Sequence, residues 1–128
     1  MTPRLEEALR LLRLAGRDRD TFDLLFPLER ADPVALGFHA QQAVEKALKA
    51  ALVHSGGDLL RTHDLVALGH AVAARGRALP VSLEALRALN PFAVEYRYDD
   101  ESAPALSREA MAATLAAVMD WAGDAVSG

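Results

Sequence analysis

Cysteine is absent from this 128-residue chain, which removes disulfides, a thiol nucleophile and thiolate metal ligands together. Nothing therefore asks for an oxidising compartment. Aromatic residues are only 5% of the chain, and its 8 glycines and 6 prolines sit in a few places, a composition that disfavours a β-sandwich or barrel and favours Ala- and Leu-rich helices. No apolar run approaches the roughly 20 residues that span a bilayer, and charges interrupt MTPRLEEALR where a signal peptide would be apolar. The expectation is an all-α protein of the cytoplasm, neither exported nor embedded in a membrane. A net charge of -4 weighs against broad attachment to nucleic acid, but leaves room for a local basic patch.

What the chain does have is helical periodicity. Leu5, Ala8, Leu9, Leu12 and Ala15 fall at helical spacing after Pro3, which suits a first turn, with Glu6 and Glu7 near the positive end of the dipole. Gly16, the charged run Arg17-Asp18-Arg19-Asp20 and Pro27 then predict one kinked helix or two short ones. Asp32-Pro33 opens an uninterrupted helical pattern to His54, which Gly56-Gly57 closes. Thr62 can cap a helix starting at His63 and stopping near Gly76, with Asp64 in its first turn. Ser82 can cap the next, with Leu83, Leu86, Leu89 and Val94 as core candidates and a bend at Asn90-Pro91. After the acidic Asp99-Asp100-Glu101, a last helix from about Ser107 to Ala125 carries Met111, Leu115, Val118, Met119 and Ala122 along one side. Four or five such helices, each needing a cover for its apolar stripe, imply an antiparallel bundle.

The helix from Pro33 to His54 has two adjoining arcs. Leu36, Ala40, Ala43, Val44, Ala47, Ala50 and Ala51 form an apolar one whose small residues admit a close neighbour, inside the bundle or across a dimer. His39, Gln42, Lys46 and Lys49 form a contiguous polar one, with Glu45 expected on its side away from the core and spaced to pair with Lys49. Lys46 and Lys49 are the only lysines in a chain that otherwise uses arginine, and a lysine is a compact partner for phosphate. The polar arc is either a solvated helix face or a site for phosphate or nucleotide.

Two further clusters carry the same choice. In Arg61-Thr62-His63-Asp64, His63 suits a general base or a phosphate contact and Asp64 can orient a neighbour, yet the run also makes an ordinary helix start. In Glu95-Tyr96-Arg97-Tyr98, Tyr98 can stack on a base and Arg97 can hold phosphate in a fork, while both tyrosines also suit a core with solvated hydroxyls. His39, His54, His63 and His70 make no zinc signature, and no glycine-rich phosphate loop or catalytic triad is present. Neither a metal nor another cofactor is expected.

The run Phe38-His39-Ala40-Gln41-Gln42-Ala43-Val44-Glu45-Lys46-Ala47-Leu48-Lys49-Ala50, followed by Arg61-Thr62-His63-Asp64-Leu65 and Glu95-Tyr96-Arg97-Tyr98, resembles the HEPN (higher eukaryotes and prokaryotes nucleotide-binding) domain family. The resemblance runs from about Phe22 into the last helix. It implies that residues 1–128 form one HEPN-like helical domain, commonly a homodimer, often encoded beside a small nucleotidyltransferase in pairs some of which act as toxin and antitoxin. It assigns ligand contacts to His39, Gln42, Lys46, Lys49, His63, Asp64, Arg97 and Tyr98. Many HEPN proteins are metal-independent ribonucleases marked by an Arg followed four to six residues later by a His. Here no histidine follows Arg97 and no other arginine has one at that spacing, so catalysis by the chain itself is disfavoured and no catalytic residue is expected. A structural adaptor that assembles through its Ala-rich faces is the remaining alternative.

Overall fold

The computed structural model describes residues 1–94 and 106–127, and every regular element among them is helical. Helix α1 spans Pro3–Leu25, capped by the Thr2 hydroxyl, which accepts from the Leu5 N–H. It passes through Gly16 without a break, contrary to the expected kink or division. The reason lies in its buried face: Leu11, Ala15, Asp18 and Phe22 recur at steps of four, three and four, so continuing the helix keeps one stripe on the core. That burial offsets the roughly 1 kcal/mol a mid-helix glycine costs. Pro27 lies beyond the helix end and interrupts nothing.

Helix α2, Pro33–His54, has the predicted bounds: Asp32 caps it through the Val34 N–H and Pro33 occupies its first turn. It stops where Gly56, at φ 97°, turns the chain, with the Gly57 N–H donating to Leu52 O and the Gly56 N–H to Val53 O. Helix α3, Leu65–Ala74, begins two residues later than expected, because its cap is Asp64 and not Thr62. The Thr62 hydroxyl accepts from the Asp64 N–H at 3.1 Å and so shapes the turn before the cap. Helix α4, Leu83–Leu89, is capped by Ser82 as predicted, and Asn90-Pro91 converts it into a 3-10 turn, Asn90–Ala93. Leu86 and Leu89 are buried, but Val94 is 57% exposed, since the backbone is already extended there and has left the helical face. Helix α5, Arg108–Ser127, buries all five residues assigned to its apolar side.

The result is a helical bundle around α2, which contacts every other helix and the 3-10 turn. Helix α1 runs antiparallel to α2: Arg4 donates to Val53 O and Gly57 O at one end, and Asp18 meets His39 and Lys46 further along. Helix α5 also opposes α1, with Arg108 donating to the carbonyls of Phe26 and Leu28 just past the end of α1, and Val126 packing with Ala8, Ala50 and Val53. The Arg108 guanidinium thus satisfies the Phe26 carbonyl at the helix end and adds a donor to that of Leu28, which already accepts from the Ala31 N–H. Leu36, Ala40, Ala43, Val44, Ala47, Ala50 and Ala51 are all fully buried within one chain, so the Ala-rich arc is covered by α1 and α5. Gly37 is needed for a different contact. A Cβ there would lie 2.1 Å from the Phe92 ring, so the ring of the 3-10 turn rests directly on the α2 backbone. No described helix is long and apolar enough to cross a membrane.

Candidate functional site

A helix surrounded on nearly all sides has little room for polar groups, and α2 nevertheless buries two of them, Gln41 and Glu45. Glu45 is therefore not on the side away from the core, as the helical wheel suggested. Gln41, Glu45, Leu48 and Leu52 repeat at steps of four, three and four, and all four are buried, so the Gln and Glu belong to a stripe that the leucines define. The expected pairing with Lys49 does form, at 3.0 Å between Lys49 Nζ and Glu45 Oε2.

The other Glu45 oxygen explains why a carboxylate is tolerated there. Oε1 lies 2.7 Å from His63 Nδ1 and accepts from Gln41 Nε2 at 3.2 Å. The same Gln41 amide donates to the His63 carbonyl at 3.0 Å, and its own oxygen accepts from Gln42 Nε2 at 2.7 Å. Every polar atom of this small buried group has a partner, which is the condition for burying it at all. The Glu45 side chain is 5% exposed, whereas the His63 ring it holds is 71% exposed. An outward-facing imidazole is thus fixed at one nitrogen by an inward-facing carboxylate.

A second carboxylate works in parallel. Asp18 of α1 places Oδ1 3.0 Å from His39 Nδ1 and takes Lys46 Nζ on Oδ2. Its side chain is 14% exposed, and those of His39 and Lys46 are 22% and 25% exposed. The polar arc of α2 is consequently organised as two units of carboxylate, imidazole and ammonium, one completed by α1 and one by the residue just before the α3 cap.

The structure brings His39, Gln42, Lys46, Lys49 and His63 together on this face. Asp64 has a local role: its Oδ1 accepts from the Val66 and Ala67 N–H groups at 2.9 and 3.3 Å and from Asn90 Nδ2 at 2.9 Å. The hydrogen bond from Asn90, helped by those backbone N–H groups and by Arg87, holds the Asp64 carboxyl below the usual carboxylate range. Asn90 also accepts from the Leu65 N–H at 2.8 Å, which ties the α3 start to the end of α4. Arg97, Tyr98 and the rest of the 95–98 cluster lie outside the described residues.

Asp18, Gln41 and Glu45 escaped the sequence reading as site residues. Each interrupts an apolar stripe at a position that periodicity assigns to the core, and that interruption was the available signal. Asp18 was obscured by the charges around it, of which Arg17, Arg19 and Asp20 are exposed.

The chain is a helical bundle whose central helix carries a buried polar network opening onto one face. Residues 8–120 match the HEPN domain family, and the chain belongs to it. No curated relative and no solved structure matches the chain.

Proposed function

We propose that this HEPN protein is a binding module that takes a nucleotide or another phosphate-bearing ligand on the α2 face, acts as a homodimer, and works with a separately encoded small nucleotidyltransferase in a pair of the toxin–antitoxin kind. One observation carries the binding step: His63 is held 2.7 Å from buried Glu45 while its ring stands mostly in solvent. Folding has fixed the imidazole through one nitrogen and left most of the ring in solvent. His39, Gln42, Lys46 and Lys49 line the same face, and the family resemblance adds Arg97 and Tyr98 as further contacts. Calorimetry and thermal-shift measurements with the four ribonucleoside triphosphates, on the protein alone and with its partner, test the proposal. Saturable binding is expected; none in either setting overturns it.

The same Glu45–His63 geometry favours one second reading, because a carboxylate orienting an imidazole is the arrangement of a general base. The missing Arg-to-His spacing stands against a ribonuclease. Pure protein incubated with RNA, beside His63→Ala, separates the two: no cleavage is expected, and cleavage abolished by the substitution would promote the enzyme.

A further inference from the structure

The two lysines that made the α2 face resemble a phosphate site are already engaged. Lys46 is bonded to Asp18, and Lys49 to Glu45. Within the cluster two carboxylates balance two ammonium groups, so a polyphosphate would have to draw a lysine off a carboxylate that is itself poorly solvated. Such an exchange leaves a buried charge unpaired and is costly.

His63 is different, because only one of its ring nitrogens is used. Glu45 Oε1 accepts from Gln41, and Oε2 accepts from Lys49, so the oxygen facing the imidazole is an acceptor and Nδ1 carries the hydrogen. In a neutral ring that donates from Nδ1, Nε2 is a hydrogen-bond acceptor, and this ring stands mostly in solvent. Phosphate groups ionised at neutral pH offer no hydrogen to such an atom. A sugar hydroxyl or the amino group of a base does.

Resting on the nucleotide-binding reading above, we propose that His63 Nε2 accepts a hydrogen bond from the nucleoside part of the ligand, a ribose hydroxyl or a base amino group, and that Lys46 and Lys49 support the site without touching phosphate. Glu45 and Gln41 are positioning residues in this arrangement: one fixes the ring and the other fixes the backbone carbonyl of the same residue.

The test is His63→Asn. The asparagine amide stands where Nδ1 stands and can still donate to Glu45, while nothing occupies the place of Nε2. Wild type and variant are titrated calorimetrically with the ribonucleoside triphosphates, their 2′-deoxy and 3′-deoxy analogues, and inorganic tripolyphosphate. In His63→Asn, with its thermal midpoint near that of the wild type, affinity for the preferred triphosphate falls by about tenfold or more, the loss expected for one directed hydrogen bond. Tripolyphosphate binds the two proteins alike or not at all. A deoxy analogue that loses as much on the wild type identifies the ribose as donor, and analogues that lose nothing identify the base. Equal weakening of tripolyphosphate in the variant, or unchanged affinity for every ligand, overturns the inference and leaves nucleotide binding standing. Failure of every nucleotide to bind wild type removes both.

Discussion

Asp18 and Glu45 hold the same kinds of partner, one imidazole and one ammonium each, in different surroundings. Asp18 reaches across from α1 into a groove that solvent still enters, so its partners can rehydrate if it is removed. Glu45 grows from the central helix itself, is almost wholly covered, and shares its network with a buried glutamine. The first arrangement joins two helices. The second ties a loop to a helix and leaves one ring facing outward. Equivalent lists of contacts therefore differ in energetic weight because the cost of an unpaired charge depends on how much water can replace the lost partner.

The sharpest way to break the comparison is to delete each carboxylate. Glu45→Ala strands Lys49 and Gln41 and should cost about 3 kcal/mol, read as a lowered urea midpoint with an unchanged slope. Asp18→Ala should cost less, about 1.5 kcal/mol, because Lys46 and His39 turn toward water. In about 1 M salt the Asp18 deficit should shrink while the Glu45 deficit holds, since screening acts mainly on the solvated pair. A Glu45 loss no larger than that of Asp18 would refute the distinction.

Asp64 offers a third carboxyl on the next residue after His63, engaged with an exposed helix start and with Asn90. Asp64→Ala should remove about 1 kcal/mol at neutral pH, the ordinary worth of such a cap. Its carboxyl is held below the usual range in the folded protein, so the unfolded chain binds more protons in acid. The charged part of its contribution is present above the unfolded value, about pH 4, and is lost as pH falls through the folded one. Urea midpoints of wild type and Asp64→Ala should converge in acid; a constant gap would show that the charge has no part in the cap. Lys46→Met should cost about 1 kcal/mol, less than Asp18→Ala, because its methylene stem keeps its packing and Asp18 retains His39 as a partner.

The fold was legible where local chemistry and periodicity agree. Asp32-Pro33 and Gly56-Gly57 bound α2, and Ser82 starts α4, because caps act on neighbouring backbone groups and need no distant partner. Legibility failed at Gly16, where a weak helix former was outvoted by the stripe on either side, and at Thr62, where two adjacent capping residues competed and Asp64 won through its added bond to Asn90. Val94 failed because the 3-10 turn changed the period that had placed it on the core face.

By itself the sequence determined the helical class, most helix limits, the Ala-rich close-packing arc and the alignment of His39, Gln42, Lys46 and Lys49, all of which follow from spacings within single helices. Only the tertiary structure decided what those groups do. Asp18 comes from another helix and His63 from a loop that returns along α2, so the neutralisation of both lysines depends on how elements pack. Burial of Glu45 depends on which sides of α2 its neighbours cover, and a helical wheel places a residue on a side without saying what stands there.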